Sequence, residues 1–335
     1  MKIVYDYEGA SIKLLKNDKE NNIIYLSLRE EKDKFSHYYN FIIDNDEIRN
    51  GEIHIKNINC SQYYNKNVLN NPYIKIDNWK RLEKEEFYID NNELIIKIKP
   101  QIKAEISLVP RYIEEDLKKF IKKISNPELK VTYEPIDEII VGNIDFPAVV
   151  LIARQHPGET LSSFFIEGII ESILKSNNLL KKYCFIIYPI VNKEGVIKGV
   201  HRYTNGIDYN RSWNKKNAPK EIKYIKEQLK KYKTKYFIDI HNDEITSENY
   251  LRVSGKFKKD NIEEIQVLQS SPKLKRFVRA LIRQKKIINI FSQSAREYIH
   301  KTYKCDSFLI ELSMLKDYKD IKKLGYNFIN QLLGE

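Results

Sequence analysis

At 335 residues the chain is longer than one small core usually fills, so one large domain or two smaller ones is expected. Three widely spaced cysteines (Cys60, Cys184 and Cys305) with no CxxC pair exclude a disulfide framework and a cysteine-rich zinc site. The 58 basic and 46 acidic side chains leave a net charge of +12, which suits an acidic partner, but Lys, Asn and Ile are abundant throughout and point to compositional bias.

The opening MKIVYDYEGA turns acidic within six residues and has no apolar h-region, and the longest apolar runs are far shorter than a spanning helix. With the cysteine usage, this predicts a soluble cytoplasmic protein with no membrane partner. Residues 1–109 read as short strands: IIYLSLRE, HYYNFIID, GEIHIKNI, PYIKID, EEFYID, ELIIKIK and AEISLVP. Turn clusters such as Asp44-Asn45-Asp46 separate them, and the alternation in GEIHIKNI turns one face inward. This predicts a small all-β sandwich over residues 1–110.

From Glu114 the character changes. An amphipathic helix begins with its acids and ends with its lysines, and a hairpin over residues 131–145 follows. Four apolar runs come next: AVVLIAR (148–154), CFIIYPIV (184–191), KYFIDIH (235–241) and FLIEL (308–312). Helical stretches near 160–175, 220–233, 272–286 and 317–333 alternate with them. The expectation is an α/β unit over residues 111–335, a mixed sheet flanked by helices.

The chemistry gathers where these runs end. AVVLIAR leads into Gln155-His156-Pro157-Gly158-Glu159, and on one helical turn residues three apart face the same way. Zinc takes imidazole nitrogen and carboxylate oxygen, and the best third ligand is His241, at the end of the strand TyrPheIleAspIleHis. Two His and one Glu leave a fourth position open, the catalytic arrangement. Alone, HxxE is a weak signal. A second motif, GVIKGVHRYTNGIDYNRSW (195–213), places Asn210 beside Arg211, with Arg202 upstream. Near a metal these could grip a carboxylate and polarise a carbonyl, although arginines more often pair with surface acids. Glu311 interrupts an apolar strand, so it needs either an ion-pair partner or a role as general base.

HPGET, then GVHRYTNGIDYNRSW, then IleAspIleHis, then a late Glu in a strand together resemble the zinc metallocarboxypeptidase family, its cytosolic carboxypeptidase branch in particular. NINCSQYY and YIKIDNWKRL look similar to strands of that branch's amino-terminal β-sandwich. The resemblance implies His156, Glu159 and His241 as ligands of Zn2+, and Asn210 and Arg211 as partners of the substrate's terminal carboxylate. It implies Arg202 as the oxyanion's partner and Glu311 as general base and then acid. The family's active-site tyrosine has two candidates here, Tyr298 (favoured) and Tyr303.

The expected partner is the C-terminal tail of a peptide or protein. The basic stretches 215–235 and 272–286 suit acidic tails, and equally suit solvated helix faces; Arg296 could also reach the pocket. A zinc amidohydrolase acting on N-acyl amino acids is the alternative. Nucleic acid is an improbable partner, because the basic stretches carry no interleaved aromatics and no RNP, zinc-finger or KH signature is present.

Overall fold

Short segments that alternate inward and outward residues dominate the first hundred positions, and they fold as strands. The computed structural model describes residues 1–58, 71–244, 246–257, 262–268 and 293–334. The early strands are β1 (Lys2–Val4), β2 (Lys13–Asp18), β3 (Ile23–Ser27), β4 (Asn40–Asn45) and β5 (Gly51–Lys56). β6 (Tyr73–Lys75), β7 (Trp79–Arg81), β8 (Phe87–Asp90), β9 (Glu93–Ile98) and β10 (Ile102–Ser107) follow. They make two five-stranded sheets, ordered β1-β4-β10-β6-β7 and β2-β3-β5-β9-β8. In β5, Ile53 and Ile55 are buried while Glu52, His54 and Lys56 are not, as the alternation requires. β1 and β2, which sequence patterning did not pick out, are edge strands with little buried surface to leave a pattern.

Helix α1 (Glu114–Ile124) opens with three acids, and the Asp116 carboxylate accepts the Ile113 N–H at 2.9 Å. The hairpin of β11 (Leu129–Thr132) and β12 (Glu138–Val141) then joins β14 (Cys184–Tyr188), β13 (Ala148–Ala153), β15 (Thr234–Asp243), β18 (Asp306–Ser313), β16 (Asn249–Ser254) and β17 (Ile265–Leu268), in that order, in an eight-stranded mixed sheet. β14, β13, β15 and β18 run parallel, and every residue of β13 and β14 is buried. Both faces are covered. Val149, Leu151 and Ala153 of β13 join a core shared with the amino-terminal sheets, whereas Ala148, Val150 and Ile152 join a second core around Trp213 and Phe237.

The other helices are α2 (Leu161–Lys175), α3 (Asn177–Leu180), α4 (Lys193–Ile197), α5 (Lys220–Leu229), α6 (Ala295–Tyr303) and α7 (Tyr318–Leu333). α2 and α7 cross closely through glycines: a Cβ on Gly168 would lie 2.0 Å from the Lys322 carbonyl oxygen, and one on Gly325 2.1 Å from that of Phe165. Cys184 and Cys305 are buried and free. The expected helix at 272–286, Cys60 and most of NINCSQYY lie outside the described residues. Among the described residues no helix is long and apolar enough to cross a membrane.

Candidate metal centre and active site

The parallel strands β13, β15 and β18 deliver their carboxyl ends to one edge, where sites in α/β sheets collect. His241 and Glu311 are paired across β15 and β18, so their side chains leave the sheet on the same face. His156 and Glu159 come from the segment after β13. Sequence spacing predicted one helical turn for them, but α2 begins only at Leu161. They instead occupy a tight turn in which the Glu159 N–H donates to the His156 carbonyl at 3.2 Å. Pro157 is the physical reason, since a residue before proline is pushed out of the α region.

Arg154 builds this turn, and sequence reasoning did not single it out. Its backbone is left-handed (φ 59°) and its buried guanidinium donates to the Pro157 carbonyl (2.7 Å), the Tyr112 carbonyl (3.1 Å) and Ser163 Oγ (2.9 Å). Burial pushes its pKa down to about 10.

Glu159 lies between two imidazoles. His156 Nδ1 is 2.6 Å from Oε1 and His241 Nδ1 is 2.9 Å from Oε2, with the rings 4.9 Å apart. All three residues are buried and can each point one ligand atom to a common spot, those atoms lying within 4.8 Å of one another. The far nitrogens are held by carboxylates: His156 Nε2 is 3.2 Å from Asp208 and His241 Nε2 is 2.9 Å from Asp239. This donor set fits a divalent metal of the zinc class, because the carboxylates behind the rings fix their orientation with each Nδ1 turned towards Glu159. Asp239 accepts from Gln155 (2.7 Å), whose carbonyl accepts from Trp213 Nε1 (2.7 Å), so the buried network is anchored in the second core.

Neither acid was recognised in the sequence, although each had a signal. Asp239 precedes His241 by two in a strand and so shares its face, and Asp208 lies two before Asn210 in the glycine-turn motif.

The charges are strongly coupled. Burial works against ionisation of Asp208, yet His156, Arg202 and Arg211 hold its carboxyl far below the usual range. Glu159 is likewise held well below by the two histidines despite its burial. For His241, burial is outweighed by Asp239 and Glu159, which push its pKa well above the imidazole value. Glu311 goes the other way: lost hydration, with Glu159, Asp243 and Glu244 nearby, raises its carboxyl well above normal although His241 opposes this.

The second motif converges on the same place. Arg202 donates to Asp208 from Nε (3.1 Å) and Nη2 (2.8 Å). Asn210 Nδ2 lies 3.1 Å from His241 Nε2, its Oδ1 accepts the Ala295 N–H at 2.9 Å, and Arg211 donates to its backbone carbonyl at 3.1 Å. Of the tyrosine candidates, Tyr298 packs 6.1 Å from the Trp213 ring with Lys226 over its face, and Tyr303 donates to the Lys226 carbonyl. Arg252 on β16 and Arg296 on α6 each have a buried Nε without a hydrogen-bond partner among the described residues. Arg296 lies close enough to Arg252, Asp239 and Glu311 for their charges to act on it.

No family model matches the chain. By fold it is similar to metallo-carboxypeptidases. One from Burkholderia cenocepacia superposes with a TM-score of 0.81 over 99% of this chain and 97% of that one, at 17% identity. Another, from Pseudomonas aeruginosa, gives 0.77 over 99% and 98% at 20% identity. By sequence it is similar to Cytosolic carboxypeptidase 1 of Danio rerio, 37% identical over 115 residues that make up 32% of this chain and 10% of that protein. Cytosolic carboxypeptidase 6 of Caenorhabditis elegans is 36% identical over 106 residues, 28% of this chain and 23% of that protein. The matched segments thus span a quarter or less of these relatives' lengths. The fold is that of the metallocarboxypeptidases. The sequence likeness to cytosolic carboxypeptidases is confined to the matched segments, whereas the fold likeness to metallo-carboxypeptidases runs over nearly the whole chain.

Proposed function

We propose that the chain is a zinc-dependent carboxypeptidase that removes the last residue from peptides or proteins in the cytoplasm, with residues 1–110 as an amino-terminal β-sandwich domain and 111–335 as the catalytic domain. The observation that carries this reading is the strand register that sets Glu311 beside His241, at the edge where His156 and Glu159 converge. When zinc is bound by these three residues it supplies Lewis acidity for a carbonyl and for water. Glu311 takes the proton from the attacking water and later returns it to the leaving amine, a role suited to a carboxyl whose pKa lies above the ordinary range. Arg202, held in direction by Asp208, balances the developing oxyanion. Asn210 and Arg211 hold the terminal carboxylate.

The preferred last residue in this reading is acidic. Arg296, near Glu311, and Arg252 beside it each have a buried Nε with no partner among the described residues, which would be costly without an anion to receive them. Peptides differing only in the last residue, incubated with the zinc-loaded protein, test this by mass spectrometry. Terminal Glu or Asp should be removed fastest, and Arg296→Gln should cut that preference roughly tenfold to a hundredfold. Equal rates for Glu, Leu and Lys termini would overturn the acidic preference, and release of amino acids from N-acyl substrates alone would replace the peptidase reading.

A further inference from the structure

A second group of metal-ligating residues lies outside the centre described above. His37 precedes β4 in the amino-terminal β region, His201 follows α4, and Glu244 comes directly after β15. All three are buried, and one ligand atom from each lies within 4.8 Å of the others. His201 Nε2 is 2.8 Å from Glu244 Oε1, His37 Nε2 is 3.9 Å from the same oxygen, and the two rings stand 4.7 Å apart at 63°. Donors around a tetrahedral zinc lie about 3.4 Å apart, given bonds of roughly 2.1 Å. The two separations to Glu244 Oε1, 2.8 and 3.9 Å, lie on either side of that value. We propose that His37, His201 and Glu244 form a second binding site for a divalent transition metal of the zinc class, joining the amino-terminal β sheets to the α/β sheet.

Several features favour a metal over a simple ion pair. The ligand set, two imidazoles and a carboxylate, repeats that of His156, Glu159 and His241. The rings are walled and positioned by neighbours: Phe35 stacks on His201 at 5.6 Å, and Glu31 accepts the His201 backbone N–H. Gly158 makes room for His201, since a Cβ there would lie 2.4 Å from the ring's Nδ1. The two sites are therefore separate in ligands but share the turn that carries His156 and Glu159. This inference does not depend on the peptidase reading.

The test is zinc titration of the chelator-stripped full chain, with Co2+ spectra as a check on ligand type. Wild type should take up about two ions per chain, and His156→Ala, His37→Phe and Glu244→Gln about one each. In the His156→Ala background, added zinc should still raise the melting temperature, and a further His37→Phe change should abolish that rise. Glu244→Gln can keep the hydrogen bond to His201, so it tests the charge if His37→Phe fails to fold. A wild-type chain that binds one ion, lost in His156→Ala, would overturn the proposal. So would a second ion that survives both His37→Phe and Glu244→Gln.

Discussion

Asp208 links the two motifs of the site through one side chain: one oxygen faces His156 and the other takes both donors of Arg202. Asp208→Asn should weaken zinc binding about 10- to 100-fold, measured by competition with a chromophoric chelator. The same residue gives a pH signature in the metal-free protein. Its folded pKa lies below the unfolded value of 3.8, so its stabilisation is present above about pH 4 and is lost as the pH falls further. Melts of the stripped protein should therefore fall less steeply in acid for Asp208→Asn than for wild type. His241 has the opposite sign: raised well above 6.5, it holds a proton at neutral pH until a metal displaces it. Calorimetry of zinc uptake in buffers of different ionisation enthalpy should show about one proton or more released at pH 7. That His156, Glu159 and His241 come together was readable in the sequence. Asp239 and Asp208 left only a positional signal, two residues before His241 and Asn210, and Arg154 left none, because a buried arginine has the same letter as a solvated one.

At the scale of elements, the continuous apolar runs were legible because a strand covered on both faces has no room for polar residues. Their parallel order then follows from the interleaved helices. Edge strands β1 and β2 left no such trace, and the HPGE turn read as helix because a spacing of three residues suits a helical turn as well as a tight one. The crossing of α2 and α7 depends on Gly168 and Gly325, a requirement set by partners distant in sequence. Gly325→Ala should force the helices apart and cost about 1–3 kcal/mol or more in urea unfolding. Wild-type stability in that variant would mean the helices are not this close.

At the scale of the molecule, the amino-terminal sheets share a core with the α/β sheet and also grip its motif loop. The Glu31 carboxylate accepts the N–H groups of His201 (2.5 Å), Arg202 (3.0 Å) and Tyr203 (2.7 Å). Arg29 adds a bond to the Lys198 carbonyl (2.9 Å), and Arg81 bonds the Met314 and Lys316 carbonyls at 3.0 Å. The β region thus holds the backbone that carries Arg202, while Asp208 holds its guanidinium. Glu31→Ala should lower kcat/KM for peptide cleavage roughly tenfold or more while zinc affinity at His156, Glu159 and His241 changes much less. Equal losses in both would instead indicate general unfolding of the loop.

The central claim is that the strand pair holding His241 and Glu311 sets a general base beside a metal, and its most direct test is mass spectrometry of a mixed peptide library. Wild type and Glu311→Gln, loaded to equal zinc content, should differ sharply. Wild type should remove single residues from C-termini, and Glu311→Gln should be slower by about 10²- to 10⁴-fold. Trimming by Glu311→Gln at the wild-type rate, or a zinc-loaded wild type that trims nothing, would contradict it.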